Sequence, residues 1–415
     1  MKQRVVVTGV GMVTPLGTGV ERNWRALCQG QSGIGPITRF DASSLKCQVA
    51  GEVKDFHPAD FMDEKFIRHF DPFIQYAMAA SMMAVEDSGL KENKFDQNRV
   101  GVVIGTACGA NTFFEVSHTF VVQGKLRKVP PFFLVNNSGN LVAGVVAIKF
   151  GAKGPNHCPM EACAAGTNAI GLGFRLIQWG EADIIIAGGA DAGITATCVA
   201  SLDLLGALTS KRNKQPEKAS RPFDGDRDGF VISEGSGIVI LEALDTALRR
   251  GAKIYGEVIG YGNNSDAYHV TSPTPGGEEQ ANCMRLALQD AGIRPEEVDY
   301  INAHGTSTVL NDVSETKAIK KAFGEQANKL AISSNKSMIG HMWGAAGAVE
   351  AIFSLLSFRE DIIPPTINQE TSDPECDLDY VPNEARKAKV NIALSNSFGF
   401  GGINSTLIFR KFSEL

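Results

Sequence analysis

Short runs of β-branched and aliphatic residues alternate with longer apolar or amphipathic stretches along nearly the whole chain. The short runs predict strands over 4–8, 100–104, 183–187, 237–241, 253–259, 298–301, 330–333, 391–394 and 405–409. The longer stretches predict helices over 72–88, 164–179, 278–291, 314–323 and 345–358. Asp71 followed by Pro72 reads as an N-cap with proline at the first helical position, because proline has no N–H to leave unpaired there. Strands alternating with helices argue for an α/β fold whose sheets are covered by helices. The polar, basic SKRNKQPEKAS at 210–220 and the turn-rich RPFDGDRDGF after it read as a surface excursion, since the strand pattern soon resumes. The better boundary lies near 249–252 and divides the chain into halves 1–250 and 251–415.

With 415 residues the chain is long enough for two ordinary domains or one large fold of two similar halves. A hydrophobic content of 43% and a charged content of 21% are those of a soluble globular protein. The net charge of −6 gives no general electrostatic reason to expect nucleic acid or a membrane surface, so any basic docking patch has to be local. The opening MKQRVVVTGVGMV is interrupted by Gly9, Gly11 and then Pro15, and reads as a strand rather than a signal peptide. No apolar stretch reaches the roughly 18 residues that span a bilayer. Eight cysteines (28, 47, 108, 158, 163, 198, 283 and 376) lack paired spacing, as expected of reduced thiols in a cytoplasmic protein.

One cysteine has a neighbourhood suited to chemistry. Cys163 lies in EACAAGTNAI, where small residues leave room for a substrate to reach the sulfur, and it stands where the 164–179 helix begins. Unpaired N–H groups and the helix dipole there favour a thiolate. Gly166, Gly171 and Gly173 lower helix propensity and suggest close approach of another backbone. His304, in NAHGTST, and His341, in SSNKSMIGH with Lys336 between, each follow a strand, where α/β folds place their site residues. The bland reading of each of these is a buried structural side chain. A zinc site is disfavoured, because zinc ligands usually come in close pairs and neither histidine has such a partner. A Cys/His hydrolase fits the same residue types and stays open on these grounds. NSFGFGG, at 396–402, can bring backbone N–H groups to a ligand, with Phe398 and Phe400 as apolar bulk. GVGMVTPLG lacks the third glycine and following helix of a dinucleotide loop.

Taken together, VVVTGVGMVTPLG, ACAAGTNAIG, ADIIIAGGAD, SRPFDGDRDGFVISEGSG, SDAYHVTSP, INAHGTST, SSNKSMIGH, GAAGAVEA, PPTIN, CDLDYVPNEAR and NSFGFGG span nearly the whole chain in order. They resemble the elongating β-ketoacyl-(acyl carrier protein) synthases of the thiolase superfamily, of the ketoacyl synthase II type, including ketosynthase subunits of type II polyketide synthases. The resemblance implies a thiolase fold, a five-layer α-β-α-β-α sandwich of two similar halves, and a dimer. It implies that Cys163 carries the acyl chain as a thioester while His304 and His341 hold the malonyl carbonyl during decarboxylation. It makes Lys336 the active-site lysine paired with Glu315, and the backbone N–H groups of Cys163 and Phe400 an oxyanion hole. Phe400, beside Phe398, becomes a gate over the thiol, and Thr306 and Thr308 hydrogen-bond the phosphopantetheine arm. Asn302, Glu350 and Asn396 fall near a monovalent-cation or structural-water site. No cofactor is implied beyond the phosphopantetheine of the carrier protein. That carrier is acidic in the family, which makes Lys65, Arg68, Lys125, Arg127, Lys128, Lys211 and Arg212 its candidate docking cations.

Five residues at four places depart from the family pattern. They are Glu161 before the nucleophile, Cys108 at the acyl-pocket gate, Met342-Trp343 after His341, and Ile403 after the glycine loop. They put the acyl substrate in question: fatty-acid elongation by a homodimer stays open beside a polyketide or polyene chain handled as a heterodimer with a catalytically silent, homologous chain-length partner. A degradative thiolase would need a second cysteine in the C-terminal glycine loop, which NSFGFGG lacks. A non-catalytic partner subunit would not need the complete set of Cys163, His304, Lys336 and His341.

Overall fold

A computed structural model describes residues 2–90 and 95–413. Ten strands carry the architecture: β1 (Val5–Thr14), β2 (Val100–Gly105), β3 (Asn156–His157), β4 (Ile184–Ala192), β5 (Glu234–Ala243), β6 (Gly256–Ser265), β7 (Tyr300–Asn302), β8 (Ala331–Ser333), β9 (Ile392–Gly399) and β10 (Ile403–Arg410). The first five lie in the order β3-β2-β4-β5-β1, and the last five repeat it as β8-β7-β9-β10-β6. In each half the first three neighbours run parallel and the remaining pairings are antiparallel. The halves join edge to edge through only three residue pairs, Val5 to Val258, Val6 to Glu257 and Val7 to Gly256.

Of the helices α1 (Pro72–Asp87), α2 (Asn111–Val122), α3 (Leu141–Phe150), α4 (Ala165–Gln178), α5 (Ala196–Leu205), α6 (Glu278–Ala291), α7 (Val309–Phe323) and α8 (Ala346–Glu360), all but α2 and α5 cover the sheets. Strand alternation sorts the core into layers, because successive side chains leave a strand on opposite faces. Val103, Ile185, Ala187, Val239 and Leu241 share one cluster with Ala393, Leu407 and Phe409 of the second sheet, and α4 and α8 fill the space between them. Val102, Ile104, Ile184, Ile186, Ile238 and Ile240 face the other way, onto α1 and α3. Ile301, Ile332, Leu394 and Ile408 pack on α6 and α7. The result is helix, sheet, helix pair, sheet, helix: the expected five layers.

Glycine sets how closely these layers approach. On β1 a Cβ at Gly9 or Gly11 would sit 2.3 or 2.1 Å from a carbonyl oxygen of α1, so this GxG serves packing. Gly260 and Gly262 on β6 do the same against α6. Of the three glycines of α4, Gly166 meets backbone, the Gly344 carbonyl, whereas Gly171 faces the Tyr261 ring and Gly173 faces the Ile185 and Leu241 side chains. Asp71 caps α1 by accepting from the Phe73 N–H at 3.2 Å, as its sequence requires. The RPFDGDRDGF stretch is not a surface excursion. Arg221 is fully buried on Asp224 at 2.8 Å, and Arg227 reaches Asp373 at 2.6 Å.

Candidate active site

Both reactive loops precede the central helices. Cys163 lies in a single 3-10 turn, Ala162–Ala164, that runs into α4, and His341 precedes a matching turn, Trp343–Ala345, that runs into α8. His304 follows β7, whose backbone continues into the Gly305–Ser307 bend. Ala162 and Trp343 hold φ values of 47° and 53°, in the left-handed region that side chains such as indole rarely occupy. Such conformations cost about 1–3 kcal/mol each and persist only where surrounding contacts enforce them.

The topology brings the predicted residues together. A ligand atom from each of Cys163, His304 and His341 lies within 4.8 Å of the others, and all three side chains are buried. The imidazole rings stand nearly perpendicular, centroids 5.3 Å apart, and Phe398 sits edge-on to His304 at 5.8 Å. A cleft of about 290 Å³ opens onto the three, lined further by Phe398, Phe400, Thr306 and Thr308. Thr306 and Thr308 share a 2.9 Å hydroxyl contact, and Thr308 also caps α7. Phe400 is half-buried and packs, as Cys108 does, against the cluster that holds Trp343, while Cys108 lies outside the cleft lining.

Two corrections concern charge. Lys336 pairs with Glu350, not Glu315, and both partners are fully enclosed. Glu315 instead accepts the backbone N–H groups of His304 at 2.8 Å and Gly305 at 2.7 Å. Burial pushes the Glu315 carboxyl up to about 7 against those two donors, so it titrates near neutrality. The second correction is to the thiolate. Burial pushes the Cys163 thiol up to about 11, outweighing the Phe400 N–H, the Lys336 charge and its own N–H, which all favour the anion. Both histidines are held well below their ordinary range, by burial first and then by Lys336, and His304 further by His341. They are therefore neutral at physiological pH and each carries a proton on one nitrogen.

Asn302 and Glu350 lie together. Asn302 Nδ2 donates to Asn335 Oδ1 at 2.7 Å and to the Glu350 carbonyl at 3.3 Å, while Asn302 Oδ1 and Glu350 Oε2 are buried acceptors without a donor among the described residues. Asn396 belongs with Glu315, 3.3 Å away, and with Thr406. Of the docking cations, Lys65, Arg68, Lys125, Arg127, Lys128 and Lys211 are exposed. Lys211 is tied to the cleft through its N–H on Asp228, at 3.1 Å, whereas Arg212 is half-buried and faces Asp226. Sequence reasoning missed Phe230, whose ring sits edge-on to His341 at 5.4 Å, and the hydroxyl pair Thr271 and Ser272 in the cleft wall. It also missed Asp191; the only signal was an aspartate ending a strand at ADIIIAGGAD.

Comparison with known proteins agrees with this geometry. Residues 2–247 match the Beta-ketoacyl synthase N-terminal domain and residues 255–370 its C-terminal domain. The chain is 51% identical to a 3-oxoacyl-[acyl-carrier-protein] synthase 2 of Synechocystis sp. and 50% identical to that of Coxiella burnetii, over 99% of each chain. Among solved structures, a type II PKS acyl-carrier protein in complex with its ketosynthase bound to the hexaketide superposes with a TM-score of 0.93 at 36% identity. The ishigamide ketosynthase/chain length factor does so with a TM-score of 0.93 at 38% identity, and both cover all of this chain and of their own. The chain belongs to the β-ketoacyl synthase family.

Proposed function

We propose that the protein catalyses decarboxylative Claisen condensation of malonyl-acyl carrier protein with an acyl chain held on Cys163. The single observation that carries this reading is the buried thiol facing two neutral imidazoles. The sulfur attacks the acyl thioester carbonyl. A new C–S bond forms, the pantetheine C–S bond breaks, and the thiol proton leaves with the pantetheine sulfur. The malonyl thioester then enters and its carboxylate leaves as carbon dioxide. The electron pair left behind makes an enolate, whose oxygen takes N–H donors from His304 and His341. Neutral imidazoles suit this task because they donate a hydrogen bond without adding buried charge. The enolate carbon attacks the Cys163 thioester. The oxyanion so formed is held by the N–H groups of Cys163 and Phe400, and its collapse releases the β-ketoacyl carrier and a thiolate that takes a proton from solvent.

Loss of carbon dioxide drives the reaction, and it calls for no resident cofactor. Thr306 and Thr308 line the route of the phosphopantetheine arm, and Phe400 is the gate over the thiol. Lys211 is the docking cation the geometry supports best; Lys65, Arg68 and the 125–128 cations complete the patch offered to an acidic carrier. Free cysteines throughout accord with a reducing cytoplasm. Val121, Val122, Leu126, Leu134 and Met160 are exposed apolar side chains and β3 is an edge strand, features that a second thiolase-fold chain would cover. Light scattering at micromolar concentration should return twice the chain mass, and a monomer would remove the dimer from this reading. Identity of 51% and 50% to 3-oxoacyl-[acyl-carrier-protein] synthase 2 proteins supports ordinary acyl elongation. Trp343, in the cleft wall, favours the second reading, a polyketide chain with a homologous partner. Intact mass spectrometry with malonyl-carrier protein and a panel of acyl-carrier proteins tests both. Saturated chains loading and extending once supports the first; turnover only with a homologous partner supports the second; no acylation of Cys163 rejects the enzyme.

A further inference from the structure

Asp191 is the penultimate residue of β4, its side chain fully buried, and no cationic side chain pairs with it among the described residues. Four donors converge on it instead. Oδ1 accepts the Thr106 hydroxyl at 2.7 Å and the Cys108 N–H at 3.0 Å; Oδ2 accepts the Ala107 N–H at 2.8 Å and the Gly344 N–H at 2.7 Å. Three of these donors belong to the loop after β2, whose Ala107 and Cys108 pack, as Phe400 does, against the apolar cluster that holds Trp343. The fourth belongs to the turn that follows His341. That turn is strained at Trp343 and fits only because residue 344 is glycine. A Cβ there would lie 2.7 Å from the Ala107 nitrogen and from Asp191 Oδ2. A carboxylate is an acceptor-only group and can satisfy four donors at once, which an amide cannot.

Resting on the condensing-enzyme reading, the geometry points to Asp191 as a positioning residue that sets the Thr106–Cys108 loop and the His341 turn against one another. The loop belongs to the acyl side, Cys108 lying outside the cleft but near enough to Cys163 for their charges to interact, and the turn belongs to the malonyl side because it directly follows His341. One carboxylate thereby fixes the spacing between the two half-reactions. Burial pushes its carboxyl up to about 6 against its four donors, so it remains mostly ionised, and able to hold all four, at neutral pH.

Two variants separate this role from general structural support. Asp191→Asn sets an NH₂ group against two of the donors, and so disturbs loop and turn together. Thr106→Val removes one donor on the loop side alone. Acyl transfer to Cys163 is read by intact mass spectrometry, and carbon dioxide release from malonyl-carrier protein is read separately. Both are normalised to folded protein by circular dichroism. Thr106→Val should slow acyl transfer about tenfold, the worth of one hydrogen bond to a charged group, while carbon dioxide release stays within about twofold. Asp191→Asn should slow both by on the order of 30–100-fold. Equal losses in both steps for Thr106→Val, or losses that vanish after normalisation, overturn the assignment. If Asp191→Asn does not fold, the split in Thr106→Val decides. A wild type that performs neither step fails the condensing-enzyme reading, whereas a competent wild type matched by both variants fails only the role given to Asp191.

Discussion

Glu350→Gln tests the charge arrangement beneath the histidines. The Lys336 ammonium and the Glu350 carboxylate are 1% and 0% exposed, and Glu350 Oε1 is the acceptor for Lys336 Nζ. Neutralising the carboxylate leaves an ammonium in the interior, and breaking such a pair from one side costs about 3–5 kcal/mol. Two features place this site at the lower end. The amide oxygen still accepts a hydrogen bond, and buried Glu315 is electrostatically coupled to Lys336. We therefore expect about 3 kcal/mol. Removing both charges, in Lys336→Met with Glu350→Leu, should recover most of that loss, since two apolar side chains of similar volume need no solvation. The assay is urea unfolding followed by the fluorescence of Trp24, Trp179 and Trp343, comparing midpoints at constant slope. Condensation should weaken in the double variant even with stability restored, because burial, the larger cause of the neutral His304 and His341, then acts without the Lys336 charge. A single-variant loss below about 1 kcal/mol, the scale of a surface pair, would refute the reasoning. So would a double variant that unfolds before the single one.

Three further expectations follow from burial. With its thiol pushed up to about 11, Cys163 should react with iodoacetamide about tenfold faster per pH unit between 7 and 9, and a plateau near pH 7 in peptide mass spectra would contradict the thiol assignment. The histidines, lowered in the fold, make unfolding easier in acid, because below pH about 6.5 the unfolded chain binds protons the folded one refuses. Replacing both with Gln should flatten the fall in thermal midpoint between pH 7 and 5.5; an unchanged slope argues against it. Gly166→Ala places a Cβ 2.5 Å from the Gly344 carbonyl and should lower the midpoint despite roughly 1 kcal/mol of helix propensity gained. Gly144→Ala, on α3 with open space, should not lower it, and equal shifts in the two would sink the packing argument.

Much of the fold was legible because it rests on patterning. All nine strands read from β-branched runs are present, and the 278–291 helix has the bounds its periodicity gave. β3 escaped because two residues carry no period. β1 was cut short at Gly9 and Gly11, which read as breakers, although α1 needs them bare. In the site, Cys163, His304 and His341 were legible from their places at helix starts and strand ends. The partner of Lys336 was not, because choosing between Glu315 and Glu350 depends on how α7 and α8 are stacked. Nor was the protonated thiol. A helix terminus can be read from sequence, but the depth of burial that overrides its dipole comes only with the fold.

The repeated strand order has an evolutionary consequence at the reaction centre. The turns Ala162–Ala164 and Trp343–Ala345 occupy equivalent stations in the two halves, each entered through a left-handed residue, so the counterpart of Cys163 is Gly344. An ancestral duplication would have produced two places for a nucleophile. Only one is still usable, because the other now holds the backbone junction of Gly166, Gly189 and Ala107, where any side chain collides. Divergence between the copies could therefore proceed only one way, with one copy keeping the sulfur and the other becoming the bearing surface against which it is aimed.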